Sequence, residues 1–207
     1  MPNENHDDGR ETLAAIKGYL VESIDLRRLS RWQLPGKAQI ILESLLWRVE
    51  ELAQNAFETL DAGKFVASAL ATRAVMETAA GIVFLDSLMQ RAIDQGLTKP
   101  LIEKINRFLI NSKIWEELED PIHINDMLRE VEKVIPGFFE NHYATLSEAA
   151  HPNWAGTFGA FGSFDKVKVL ALFNPGGRSP DEERTKISVN LAATLGLAKG
   201  YYEMARA

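Results

Sequence analysis

Two charged residues inside an apolar stretch are the first candidates for chemistry. Arg73 and Glu77 are the only charges in FVASALATRAVMETAAGIVFL. Residues four apart lie on the same face of a helix, and a charge removed from water needs a partner or hydrogen bonds. The pair therefore has two interpretations. It is either an ion pair satisfied within its own helix or the polar floor of a binding site, because perturbed ionisable groups cluster at such sites.

A second group of polar residues lies in YATLSEAAHPN. Because a residue that precedes proline is pushed out of helical geometry, the helix is predicted to end at His151, before Pro152. A helix C-terminus stabilises an imidazolium, which makes His151 a candidate general acid or base. The alternative is a histidine that only caps the last turn. The candidate binding residues around it are Tyr143, Ser147, Glu148 and Asn153.

Metal and cofactor chemistry are not expected. The chain has no cysteine, so a zinc site would need histidines and carboxylates alone. The spacing of His142, Glu148 and His151 matches no ligand motif, and the sequence contains no nucleotide-binding glycine pattern, GxSxG or HExxH. His6, His123 and His142 are predicted to be surface residues.

Apolar residues at helical spacing predict the elements that must position these groups. The helix that carries Arg73 is apolar nearly all round and is expected to be the central core helix, buried on every side. The prediction is a mainly α fold, a bundle of about six or seven helices with a short β-hairpin or loop insertion before the C-terminal helix. The predicted helices are 10–29, 37–60, 64–95, 101–117, 125–135, 138–150 and 180–204.

The segment 152–179 is predicted to be this insertion. It contains FGAFGSF and the strand-like KVKVLALF, and a lone hairpin is marginally stable, so it should dock on the helices. The polar residues 1–9 are expected to form a flexible tail. Ser179, Pro180 and Glu182 are typical of a helix start.

The bulk composition fits one domain of 207 residues. A net charge of −6 argues against broad binding to nucleic acids. The N-terminus lacks the features of a signal peptide, and Arg73 and Glu77 interrupt the best candidate for a membrane span. We therefore expect a cytoplasmic protein that does not enter a membrane.

The RxxxE pair on a buried helix, followed by LSExxHPN, resembles the HEPN-like helical proteins and their bacterial relatives. The resemblance implies a helical bundle that is often a homodimer. It also implies, for many members, metal-independent ribonuclease activity in toxin–antitoxin and phage-defence systems. The residues that carry it are Arg73, Glu77, Leu146, Ser147, Glu148, His151, Pro152 and Asn153.

One departure from the family pattern separates two functions. Catalytic HEPN members carry an arginine about five residues before the histidine, where this chain has Leu146. An arginine there would supply a permanently charged donor to the scissile phosphate. The favoured prediction is a non-enzymatic binding or interaction module in a defence or stress system. The alternative is an RNA-cleaving enzyme in which His151 acts as acid–base and Arg73, beside Glu77, stabilises the phosphate. That enzyme would need His151 and Arg73 to converge in a cleft.

Overall fold

A computed structural model describes residues 4–25, 27, 33–110, 120–174 and 180–206. The fold is mainly helical, with a small antiparallel hairpin before the last helix, as predicted. The helices are α1 (Glu4–Lys17), α2 (Gln33–Asp61), α3 (Phe65–Gln95), α4 (Lys99–Ile110), α5 (Ile124–Val134), α6 (Ala144–Ala150), α7 (Phe158–Phe161) and α8 (Pro180–Arg206). The strands are β1 (Gly162–Asp165) and β2 (Leu170–Phe173).

Helix α3 is the centre of the bundle, as its composition predicts. It packs against α2, α4, α5, α6 and α8, and its fully buried side chains include Met76 and Phe84. It is not buried on every side, because Leu70 and Ile93 are exposed. By length and composition α3 could cross a membrane, yet most of its apolar stretch is buried within the protein, as in the core helix of a globular fold.

The N-terminal prediction is wrong for the residues that the structure describes. Helix α1 already begins at Glu4 and ends at Lys17, so residues 4–9 are not a flexible tail and 18–25 are not helical. Gly9 is buried, and a Cβ atom there would lie only 2.9 Å from the ring of Phe57. His6 bonds Asp61 at 3.1 Å and packs edge-on against Phe57, which corrects its prediction as a surface residue. Polar composition misled here, because tertiary contacts hold the segment.

Most other boundaries agree with the sequence to within a few residues. Helix α2 begins earlier than predicted, because Pro35 lies in its first turns, where a missing N–H costs little. Helix α5 begins after His123, whose Nδ1 accepts a hydrogen bond from the backbone N–H of Asn125 at 3.2 Å. The predicted continuation of the fourth helix beyond residue 110, and the cap at Ser179, lie outside the described residues.

The segment from residue 138 to residue 150 is helical as predicted, but it is not uniform. Phe139–Tyr143 forms a π-helical turn that runs directly into α6. Helix α6 ends before His151, whose extended backbone (φ −87°, ψ 145°) agrees with the expected effect of Pro152. A π-helical turn shifts the phase of the helix, and such turns are frequent at functional sites.

The insertion contains the predicted hairpin together with the one-turn helix α7. Strand β1 pairs with β2 from Gly162↔Phe173 to Asp165↔Leu170. The hairpin was expected to dock on the helices, and its main helical contact is with the one-turn helix α7. Every residue of β2 is exposed.

Candidate functional site

Arg73, Glu77 and Tyr143 form one hydrogen-bonded group, here named the Arg73 cluster. Arg73 Nε donates to Glu77 Oε1 at 3.0 Å, and Arg73 Nη2 donates to the Tyr143 hydroxyl at 3.1 Å. That hydroxyl in turn donates to Glu77 Oε1 at 2.8 Å. The guanidinium carbon also lies 5.3 Å from the centre of the Tyr143 ring, within the range of a cation–π interaction. The cluster is therefore a closed triangle of side chains.

Two elements position the cluster. Arg73 and Glu77 occupy adjacent turns of α3, and Tyr143 is the last residue of the π-helical turn before α6. Tyr143 is buried, and its ring packs 5.4 Å from that of Phe139. Tyr143 and Leu146 are three residues apart and both face the core. The packing of α6 on α3 thus delivers the tyrosine hydroxyl to the ion pair.

The cluster is partly screened from water. The side chains of Arg73 and Glu77 are 26% and 33% exposed. Burial on its own lowers the pKa of Arg73, but the hydrogen bonds and charges of Tyr143 and Glu77 together leave that pKa raised. Burial, and then the hydrogen bond to Glu77, raise the pKa of Tyr143. Arg73 therefore stays charged and Tyr143 stays neutral near pH 7.

His151 lies at the far end of α6 from this cluster. Its side chain is exposed, and within the described chain no hydrogen bond or ion pair joins it to Arg73 or Glu77. Tyr143, which contacts Arg73, is eight residues earlier, about 12 Å along the helix at about 1.5 Å per residue. The backbone N–H of His151, rather than its imidazole, closes the helix by donating a hydrogen bond to Glu148 O at 3.3 Å. The structure does not bring the two halves of the predicted catalytic pair together.

The other candidate binding residues shape the turn that follows α6. Asn153 Nδ2 donates to Glu148 Oε2 at 2.6 Å, and Asn153 Oδ1 accepts from the backbone N–H of Gly156 at 3.1 Å. Ser147 is half-buried on α6. Glu148 and Asn153 thus hold the chain as it leaves the helix, which explains their spacing without any ligand.

Leu146 occupies the position where catalytic HEPN proteins carry arginine, and it points into the core. Its side chain is 3% exposed and belongs to the same apolar cluster as Tyr143. Position 146 therefore faces away from the solvent in which a phosphate would arrive. In this chain the leucine serves packing.

Two further histidines have hydrogen-bond partners, His142 inside the fold and His123 at the exposed start of α5. His142 Nδ1 lies 2.6 Å from Oδ1 of the buried Asn190 on α8, so His142 is half-buried and its prediction as a surface residue is wrong. His123 caps α5, as described above. In the part of the chain that the structure describes, no three His, Asp or Glu side chains are grouped so as to hold a metal ion.

Comparison of the chain with protein-family models, with curated proteins and with solved structures finds no match. The likeness to HEPN-like proteins therefore rests on the motif residues quoted above.

The sequence predicted the Arg73–Glu77 pair but missed its third member. Tyr143 was a candidate binding residue, and its contact with Arg73 depends on how α6 packs against α3. A Tyr143→Phe substitution is expected to lower the free energy of unfolding by about 1–2 kcal/mol. The substitution removes the hydroxyl that accepts a hydrogen bond from Arg73 and donates one to Glu77. Both partners are charged and partly solvated, which limits the loss. Urea denaturation followed by circular dichroism measures this loss.

Tyr201→Phe is the matched control for that substitution. Tyr201 is a half-buried tyrosine on α8, and its substitution should change the free energy of unfolding by less than about 0.5 kcal/mol. Equal effects of the two substitutions would show that the Tyr143 hydroxyl does not stabilise the cluster.

Proposed function

We propose that this chain is a non-enzymatic interaction module related to the HEPN-like helical proteins, acting in the cytoplasm in a defence or stress system. The geometry of the Arg73 cluster carries the proposal. The guanidinium is engaged by Glu77 and Tyr143, while His151 lies beyond the end of α6. Cleavage of a phosphodiester needs an acid–base group and a hydrogen-bond donor to the phosphate, both close to the same scissile bond. Among the described residues, the hydrogen bonds of Arg73 go to Glu77 and Tyr143 and none joins it to His151, which supports the non-enzymatic function.

The roles of the motif residues support the same conclusion. Tyr143 joins α6 to α3, Leu146 fills the core, and Glu148 with Asn153 orders the turn that follows. In this interpretation the residues of the LSExxHPN motif serve to end helix α6 and to order the turn after it. His151 and Trp154, which are three residues apart in this turn, are both exposed and offer surface suited to a partner.

The charge of the chain favours a protein as that partner. Binding to RNA backbones draws on lysine and arginine, whereas this chain has a net charge of −6. The only arginine in the cluster is neutralised by Glu77. A protein surface needs no such excess of positive charge.

A metal-independent ribonuclease is the second candidate, and one observation favours it. The side chain of Arg73 is 26% exposed and that of His151 is exposed, so each group is accessible to a phosphate from solvent. Activity would require Arg73 to leave Glu77 and Tyr143 and to approach His151. The cost of breaking these charged hydrogen bonds, about 1.5–3 kcal/mol each in general, makes this the weaker candidate.

An RNA cleavage assay separates the two functions. The full chain is incubated with end-labelled single-stranded and hairpin RNAs in EDTA, beside His151→Ala and Arg73→Lys proteins purified in the same way. We expect no cleavage above buffer, or a trace that is equal in all three preparations. Cleavage by the native chain that disappears in both variants would establish the ribonuclease and overturn the proposal.

A further inference from the structure

A cavity of about 310 Å³ lies between α2, α3 and α8, and none of its lining residues belongs to the Arg73 cluster. We name it the Glu43 cavity. Its apolar wall includes Leu42, Leu85 and Met89, and its polar lining is Gln39, Glu43 and Arg206. Small-molecule sites are mostly apolar cavities with a few placed polar groups, and this volume is at the lower end of their range. The cavity is therefore suited to a small ligand.

Glu43 is a buried acidic side chain in the wall of this cavity. The residue is 5% exposed, and the Tyr202 hydroxyl lies 3.1 and 2.9 Å from its Oε1 and Oε2 atoms. Among the described residues, Tyr202 is its only hydrogen-bond donor. A hydroxyl donates one proton, whereas a carboxylate has several acceptor sites. The remaining sites of Glu43 favour a donor that enters the cavity, because a buried carboxylate needs hydrogen bonds.

Stability does not account for a carboxyl group at this position. The neighbouring residues Leu42 and Leu46 of α2 are buried and apolar, so an apolar side chain at position 43 suits the same environment. Replacing both partners of a buried polar pair by apolar groups is often neutral or stabilising. Buried ionisable groups that line a cavity are, by contrast, common at binding sites. A ligand therefore explains Glu43 better than the fold does.

Arg206 brings a positive charge to the same point of the cavity. Its Nη1 donates to the Tyr202 hydroxyl at 3.3 Å, and its guanidinium carbon lies 5.9 Å from the centre of the Tyr202 ring. Arg206 and Glu43 therefore lie within two hydrogen-bond lengths of each other. Within the described chain Arg206 forms no ion pair with a carboxylate, so most of its N–H donors are available to a ligand.

A second cavity of about 310 Å³ shares Gln39, Glu43 and Arg206 with the first. Its other wall is formed by the segment after α1 and includes Asp25. The carboxylate of Asp25 is paired with Arg27 at 2.8 Å. The charges that face a ligand where the two cavities meet are consequently those of Glu43 and Arg206.

We infer that the Glu43 cavity binds a free α-amino acid with an apolar side chain. The ammonium group of the ligand donates to Glu43, its carboxylate accepts from Arg206, and its side chain packs against the apolar wall. A ligand with a positive charge alone is repelled by Arg206, and one with a negative charge alone is repelled by Glu43. An α-amino acid carries both charges on one carbon and satisfies both residues.

The apolar wall favours an aliphatic or aromatic side chain on the ligand. Leu42 and Leu85 are 4% and 1% exposed and form a fixed surface. Met89 is half-buried, and a methionine side chain adapts to ligands of different shape. The inference goes beyond the proposed function, because the cavity shares no residue with the Arg73 cluster or with the turn after α6. Its test is therefore independent of RNA cleavage.

Isothermal titration calorimetry of the full chain with L-leucine, L-methionine and L-phenylalanine tests the inference. We expect at least one of them to bind with a dissociation constant of about 1 mM or lower. Removing the ammonium group, the carboxylate or the side chain from that ligand should weaken binding about tenfold or more. For L-leucine the three analogues are isocaproate, isoamylamine and glycine. These comparisons use the native chain and do not depend on the folding of a variant.

Glu43→Gln and Arg206→Gln should each weaken binding of the amino acid about tenfold or more. Glu51→Gln is the matched control, because Glu51 is an exposed glutamate of α2 outside the cavity, and it should leave binding unchanged. Circular dichroism checks that each variant is folded as the native chain is.

Three results would overturn the inference. The first is no binding of any of the three amino acids at concentrations up to about 10 mM. The second is an analogue without the ammonium group or without the carboxylate that binds as tightly as the amino acid. The third is unchanged binding in folded Glu43→Gln and Arg206→Gln proteins, which would place the ligand elsewhere on the chain.

Discussion

Leu146→Arg is expected to destabilise the fold by about 3–5 kcal/mol and to create no nuclease. The substitution introduces the arginine that catalytic HEPN proteins carry at the corresponding position of the motif, but Leu146 is 3% exposed and packs in the apolar core. A guanidinium placed there would be buried without a partner, and an uncompensated buried charge costs several kcal/mol. Urea and thermal denaturation measure the loss directly.

Leu146→Met is the control for this substitution, because it nearly conserves volume and should cost less than about 1.5 kcal/mol. Both proteins would also be tested for RNA cleavage. An arginine variant as stable as the methionine variant, and able to cleave RNA, would show that position 146 faces an active site after all. The packing of α6 would then have to differ from the structure.

Tyr202→Phe should give the second large effect, a loss of about 2–3 kcal/mol. Glu43 on α2 is only 5% exposed, and the Tyr202 hydroxyl from α8 lies 2.9 and 3.1 Å from its two oxygens. Removing the hydroxyl leaves a buried carboxylate short of a donor, which costs more than the hydrogen bond itself contributes. Chemical denaturation at pH 7 measures this cost.

The titration of the Tyr202 hydroxyl should make the free energy of unfolding depend on pH. Burial, and then the hydrogen bond to Glu43, raise the pKa of Tyr202 from 10.0 to about 12. The folded state therefore keeps a proton that the unfolded state loses. Its contribution is complete below pH 10 and is lost as the pH rises toward about 12. Tyr202→Phe should remove this part of the alkaline loss of stability.

A double variant provides the control for the Glu43–Tyr202 pair. Glu43→Met with Tyr202→Phe replaces both partners by apolar groups, which is often neutral or stabilising for buried polar pairs. Its stability should exceed that of Tyr202→Phe alone. If the double variant is instead less stable by the sum of two independent losses, the pair is not coupled as the structure indicates.

The helical bundle follows from the sequence, but contacts between distant segments do not. A composition that is apolar nearly all round is enough to identify α3 as the core helix, and Pro152 alone places the end of α6. The beginning of α1 was missed because Glu4 to Gly9 contains no apolar stripe. It is held by Gly9 against Phe57 and by His6 against Asp61, contacts made across the fold.

In the candidate site, too, the local pairing follows from the sequence and the contacts between distant segments do not. The i,i+4 spacing predicts the pairing of Arg73 with Glu77. The addition of Tyr143 depends on a π-helical turn, and that turn changes which residues of the segment face α3. The separation of His151 from Arg73 likewise follows from the direction in which α6 runs, which periodicity does not give. Motif spacing along a chain is therefore a weak guide to convergence in space.

The central claim, that Arg73 is held by Tyr143 and Glu77 and does not act with His151, is tested most directly by nuclear Overhauser effects in isotope-labelled protein. These effects arise only between protons in near contact. We expect signals from the side-chain protons of Arg73 to the ring of Tyr143, in line with the 3.1 Å hydrogen bond between these residues. Signals from Arg73 to the ring of His151, with none to Tyr143, would contradict it.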